Sequence, residues 1–377
     1  MSVKEIERNK KYKIVVVVGY NGTKRINHYE TFYGKKSEAQ LREAEIKTSI
    51  KNHTFVEKDK ITFKEYFEEW VELKKDTWTP RTYDSDKPRI RNIINQLGHI
   101  KLQELNVQLL EEFYKWLKDE KHYSDKSIRE HYVLINEALK KAVIYGYIVY
   151  NPNTRIEPPK ITKKEIQCYS EEEVGKLFKA LKEEPIKYKA LITLALDSGA
   201  RRSEITGLTW NDIDFEKHTM DINKITQYTK ELGIYEKSTK NVTSNRRLYL
   251  SDYTIQILKE YKKDQLRKKL LLGSKWNNPH NRVFTTETGS DMHPDTPSQI
   301  FEKIIKRHNL KRITFHGLRH TSISLQISKG IQPQIISKRA RTFKCNNYTH
   351  NLFALLYEWI WSGCQYNEQY FWRRNSQ

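Results

Sequence analysis

Residues 198–204 read Ser-Gly-Ala-Arg-Arg-Ser-Glu, and residues 316–321 read His-Gly-Leu-Arg-His-Thr. A guanidinium presents a rigid fork of N–H donors that can hold two non-bridging oxygens of one phosphate. Arg201 and Arg319 are far apart along the chain. If they met in space, they would cradle a phosphate whose negative charge grows in a pentacovalent transition state. Glu204 lies one helical turn beyond Arg201, close enough to hold its guanidinium in place. His316 lies three residues before Arg319, so both can face one site. Taken singly, an Arg-x-x-Glu pair equally describes a solvated helix salt bridge, and a lone His-x-x-Arg a surface pair. The order and spacing of the two together carry the information.

The composition agrees with a phosphate-rich partner. The chain has 377 residues, which calls for two or three domains. Its formal net charge is +21, its apolar content 37% and its charged content 31%. A cationic surplus of that size favours polyanions, because each neutralised phosphate releases counterions. Membrane binding is disfavoured, since no apolar run approaches the roughly 20 residues needed to span a bilayer. The opening Met-Ser-Val-Lys-Glu lacks the apolar core of a secretory signal. Cys168, Cys345 and Cys364 show neither metal-ligand spacing nor a disulfide framework. A reducing, cytoplasmic location is the expectation.

Outward from the two boxes, the chain reads as an α+β multidomain protein. Tyr12 to Tyr20 and Ile26 to Tyr33 are strand-like around Asn21-Gly22, a pair favoured in two-residue hairpin turns. Ser37 with Gln40 predicts a capping-box start for the helix that follows. Lys10, Lys11, Lys24, Arg25, Lys35 and Lys36 surround these strands, as expected of a sheet that enters a DNA groove or of a solubilising appendage. Residues 59–152 read as all-helical. Thr62 and Glu65 form a capping box, Phe63, Phe67, Trp70 and Val71 an apolar stripe, and Ile128, Tyr132, Ile135, Leu139 and Val143 another, with Gly146 placed to end the helix. Residues 153–168 read as a stiff, basic linker containing Pro158-Pro159-Lys160. Ser170, capping with Glu173, opens a mixed, mainly helical segment to residue 340.

The paired boxes resemble those of the tyrosine recombinases, or phage-integrase family, and most of all integrases of Gram-positive phages and conjugative elements. The resemblance spans residues 10 to 340. It implies an arm-type DNA-binding three-stranded sheet plus helix (residues 1–58), a helical SAM-like core-binding domain (59–152) and a catalytic domain (169–340). It implies double-stranded attachment-site DNA as partner, a homo-tetramer on that DNA, and recombination through a 3′-phosphotyrosyl link with no metal or other cofactor. By position, Arg201, His316 and Arg319 match catalytic residues, and Glu204 an acidic supporter. A hairpin lysine that protonates the leaving 5′-oxygen matches Lys240 or Lys237, both within Glu236–Asn241 and ahead of the strand-like Asn245–Leu250.

The pattern breaks after Ala340. A Gly-His pair is due there, with a nucleophilic tyrosine about ten residues later, and residues 341–353 contain neither at the expected place. The last 37 residues hold ten aromatics, far above the 12% of the whole chain, and show no helical or strand period. Dropping one nucleotide from the codon of Arg341 lets the degenerate codons spell Gly, His, Ser, Asn, Val, Thr and Thr. A tyrosine is then permitted ten places after that histidine. This predicts an out-of-frame tail over residues 341–377 and a chain that binds DNA without recombining it. The alternative is a divergent tail whose nucleophile is Tyr348 or Tyr357.

Overall fold

The computed structural model describes residues 3–8, 10–21, 23–51, 55, 61–161, 167–238, 245–328, 330–332 and 336. The chain divides into two compact units, Met1–Lys163 and Lys164–Gln377. Among the described residues no helix is long and apolar enough to cross a membrane.

The first unit begins with an antiparallel sheet of β1 (Val3–Glu7), β2 (Lys11–Asn21) and β3 (Lys24–Tyr33), in that order. Alternate residues of a strand point to opposite faces. Tyr12, Ile14 and Val16 are accordingly buried on one face, where Ile46 of α1 (Lys36–Lys51) packs with Ile14 and Val16. The third strand of the expected three-stranded sheet is β1, whose sequence Val-Lys-Glu-Ile-Glu has no apolar run to locate it; it forms by pairing with β2. Asn21 lies opposite Lys24, so the hairpin connection falls one residue later than Asn21-Gly22 predicts. Helix α1 starts before Ser37. The carboxylate of Glu38 accepts from the backbone N–H of Lys35 (2.9 Å), so the predicted Ser37–Gln40 box does not form the helix start.

Four helices complete this unit: α2 (Phe63–Lys75), α3 (Pro80–Leu97), α4 (Val107–Asp119) and α5 (Asp125–Ile144). The Thr62–Glu65 capping box forms, and Phe63, Phe67, Trp70 and Val71 are buried together with Ile128, Ile135 and Leu139. Each such side chain contributes about 2 kcal/mol through removal of apolar surface from water. Gly146 follows the end of α5 at φ +75°, a conformation glycine adopts without a Cβ penalty. The expected linker starts later than residue 153. Pro152–Arg155 form a 3₁₀ turn whose buried Asn153 accepts from the Tyr114 hydroxyl (2.6 Å) and donates to the Tyr132 carbonyl (3.2 Å).

The second unit is built around α7 (Ile186–Ser198), an apolar helix buried on nearly every side, as expected of a helix hydrophobic all round. Around it lie α6 (Glu171–Leu181), α8 (Arg202–Thr206), α9 (Asp252–Leu272), α10 (Thr296–Arg307) and α11 (Phe315–Ser328). The Ser170–Glu173 capping box is present. A small antiparallel sheet orders β4 (Ile213–Asp214), β5 (Thr219–Ile222) and β8 (Arg246–Tyr249), and β6 (Lys224–Thr229) pairs with β7 (Gly233–Ser238) as a separate hairpin. Gly317 has a packing reason: a Cβ there would lie 3.1 Å from both the Gln167 carbonyl oxygen and Ile313, so glycine lets the chain before α6 press against α11.

Candidate functional site

The site forms where α7 stops. Gly199 ends that helix at φ +59°, and a Cβ on it would meet the Ser322 Oγ at 3.2 Å. The chain turns there and re-enters a helix with Arg201 as the cap of α8. Glu204, in the first turn, is 3% exposed and reaches back: its Oε2 accepts from the Arg201 backbone N–H (2.7 Å), and its Oε1 from the Arg201 guanidinium (3.0 Å). A second arginine, Arg246 of β8, donates to both oxygens of the same carboxylate at 2.9 and 2.6 Å. Burial by itself would raise the Glu204 carboxyl. The hydrogen bonds and charge of Arg246, then of Arg201, outweigh it and hold the group below the usual carboxylate range.

Arg319 comes from α11 and is 3% exposed, with one guanidinium nitrogen donating to the Gly199 carbonyl. Its pKa is pushed down to about 10, first by burial and then by the positive charge of Arg201. It therefore stays cationic at neutral pH. Arg201 and Arg319 lie near enough for the charge of one to act on the other. His316, on the first turn of α11, stays solvent-accessible. Partial burial and then the charges of Arg319, Arg201 and Arg202 push its imidazole below the usual histidine range. Its ring packs edge-on against His320 at 4.8 Å between centroids, and His320 shifts the same way, by burial and then by His316. Arg201, Arg202, Ser203, Ser298, Arg312 and His316 line one cavity of about 880 Å³. Arg202 is braced by Ser298 (2.8 Å) and Asp295 (2.6 Å).

Lys240 lies outside the described residues, as do Ala340 and the tail of residues 341–377, so the expectations on them concern residues the structure does not describe. Lys237 stands in β7 opposite Ile225, in the hairpin instead of the loop before β8. That hairpin rests on α8 through a hydrogen bond between Thr226 and Thr206 (2.6 Å). Arg282, 0% exposed, ties the two together: it donates to the Gly207 carbonyl at 2.6 Å and pairs with Glu236 of β7 and with Asp291. Sequence reading missed Arg246 and Arg282. Arg246 had a weak signal, a pair of arginines inside a strand-like run, whereas Arg282 looks like any loop cation.

In the sheet, the face away from α1 carries Lys4, Lys11, Lys13, Tyr29, Thr31 and Tyr33, aligned by the register. The Lys11 ammonium lies 5.4 Å from the Tyr33 ring centre and that of Lys13 4.8 Å from Tyr29. Of the expected cations Lys11 and, by the alternation along β3, Arg25 sit on this face. Lys24 and Arg25 lie at the hairpin end, and Lys10, Lys35 and Lys36 at the opposite edge and the start of α1. Lys160 is exposed and pairs with Glu157 at 3.4 Å. Among the described residues no group of three or more His, Cys, Asp or Glu is placed to hold a metal ion.

Comparisons with known proteins converge on one group. Residues 167–353 match the phage integrase family, and residues 62–156 the phage integrase SAM-like domain. The chain is 28% identical over 363 residues to a XerC-like tyrosine recombinase of Caldanaerobacter subterraneus subsp. tengcongensis, covering 90% of this chain and 92% of that one. It is 24% identical to the ICEBs1 integrase of Bacillus subtilis, covering 88% and 89%. The Tn1549 transposon integrase, solved in complex with transposon right end DNA, superposes with a TM-score of 0.66 at 17% identity over 75% of this chain and 92% of that one, a likeness of fold.

Proposed function

Because the chain belongs to the phage integrase family of tyrosine recombinases, whose activity is site-specific DNA recombination, we propose that it grips double-stranded attachment-site DNA but does not recombine it. The observation that supports the DNA half of this reading is that Arg201, held by the buried Glu204, and Arg319, held by the Gly199 carbonyl, lie near enough for the Arg201 charge to lower the Arg319 pKa. Preorganised cations cost no reorganisation when phosphate charge develops, and they are worth more where water is partly excluded.

In this reading Arg201 and Arg319 bind the non-bridging oxygens of the scissile phosphate. Glu204, shared with Arg246, fixes the Arg201 fork. His316, whose imidazole is pushed below the usual histidine range by partial burial and then by its cationic neighbours, accepts or returns a proton. Lys240 protonates the leaving 5′-oxygen, with Lys237 as the other candidate. Lys4, Lys11 and Lys13, framed by Tyr29 and Tyr33, track a second stretch of backbone with Lys10, Lys24, Arg25, Lys35 and Lys36 around them. In the intact family the work is done by a tetramer on DNA.

The missing step is the nucleophilic one. A tyrosine hydroxyl would attack the phosphorus, expel the 5′-oxygen and keep the bond energy in a 3′-phosphotyrosyl ester. The sequence after Ala340 places no tyrosine at the family's distance and no Gly-His pair before it. We attribute this to a one-base frameshift after Ala340. Incubation with a suicide substrate carrying a nicked attachment site is expected to give salt-sensitive retardation and no covalent protein–DNA band. A robust covalent band sinks the proposal.

One observation favours a second reading. The family match runs past Ala340 to residue 353, across Tyr348. If Tyr348 is the nucleophile of a divergent tail, a covalent band forms with the parent chain and disappears in Tyr348→Phe. Sequencing the gene across codon 340 separates the readings independently, since only the frameshift leaves an integrase-like continuation in the adjacent frame.

A further inference from the structure

The last turns of α9 expose an apolar patch within a basic frame. Leu266 is 57% exposed, Leu270 75% and Leu271 85%. The 3–4 spacing of Lys259, Lys263, Leu266 and Leu270 stacks them on one helix face, and Lys262, Arg267 and Lys269 are exposed beside it, with the acid Glu260 at one edge. Neighbouring large apolar side chains in water mark a contact surface, unlike single scattered ones. DNA would satisfy the lysines and leave the leucines uncovered. The occupant that fits has an acidic rim around an apolar centre.

The chain carries that complement itself. On the exposed side of α2 Glu68, Glu69 and Glu72 face solvent, Glu72 pairing with Lys75 of the same helix; Leu73, 56% exposed, lies at the edge of that side next to the buried stripe, and Asp76 follows at the C-cap. Such an acidic cluster stands out in a chain of net charge +21. We propose that the α9 face of one copy docks on the α2 face of a second copy. Leu266 and Leu270 meet Leu73, while Lys259, Lys263 and Arg267 meet Glu68 and Glu69. The contact uses two different surfaces, so repetition closes a ring or extends a filament. It uses none of the phosphate-site residues and stands or falls independently of them.

Sedimentation velocity of the full chain without DNA, at low ionic strength where such pairs are least screened, tests it. The parent chain should self-associate with concentration. An α2 variant (Glu68→Lys with Glu69→Lys) and an α9 variant (Lys259→Glu with Lys263→Glu) should each weaken association by roughly tenfold, and an equimolar mixture of the two should recover it. Leu270→Ser, which leaves the charge unchanged, should weaken it as well. A parent chain that stays monomeric, variants that associate like the parent, a mixture that recovers nothing, or an inert Leu270→Ser each overturn the proposal. So does loss of duplex retardation in the α9 variant alone, which would make that face a DNA contact.

Discussion

Glu204 holds two guanidinium groups with one carboxylate, and almost none of that carboxylate touches water. Replacing it by glutamine keeps the shape and removes the charge, leaving Arg201 and Arg246 to repel each other beside Arg319. Breaking a buried pair from one side costs about 3 kcal/mol. Glu204→Gln should therefore lower urea-unfolding stability by that amount; a loss under about 0.5 kcal/mol would mean the network is relaxed by solvent. The same geometry shows why Arg201 could be chosen from sequence and Arg246 could not. Arg201 and Glu204 are local, set by a helical turn, whereas Arg246 reaches Glu204 only after 42 residues of sheet and loop have folded.

The helices of the first unit enclose His131, 1% exposed on α5. Its Nδ1 faces the Ser127 carbonyl at 2.8 Å, which assigns the proton to that nitrogen, and its Nε2 lies 3.3 Å from the Asn92 amide. Burial pushes its pKa below the ordinary value, opposed next by the hydrogen bond to the Ser127 carbonyl and then aided, more weakly, by the Arg89 charge. The unfolded chain titrates near 6.5. Between the depressed folded value and about 6.5, the unfolded state binds the extra proton, so stability rises with pH. This contribution is fully present above pH 6.5 and is lost as the pH falls below it. Urea midpoints measured from pH 7.5 down to 5.5 should decline, and His131→Gln should flatten the decline; parallel profiles for parent and variant would remove His131 as the cause. The apolar stripes of α2 and α5 were legible because helical period is a local property. Strand β1 was not, because its polar sequence becomes a strand only when β2 offers it hydrogen bonds.

Across the whole molecule, a net charge of +21 should appear as a steep salt dependence on duplex DNA, with log K falling by about 0.9 per phosphate neutralised for each tenfold rise in salt. Lys13→Ala, on the open face of the sheet, should reduce that slope by about one, and an unchanged slope in fluorescence-anisotropy titrations would exclude the face from the DNA contact. The sequence by itself determined the family and the order of sheet, helices and mixed domain, and it singled out Arg201, His316 and Arg319 as the site we propose. Each of these is written in local spacing, composition or short motifs. Only the tertiary structure decided that Arg246 completes the carboxylate frame, that Arg282 ties the β6–β7 hairpin to the end of α8, and that Lys4, Lys11 and Lys13 share a face with Tyr29 and Tyr33. Those facts depend on which distant segments meet and in what register, and cross-chain contact leaves no period in the residues that make it.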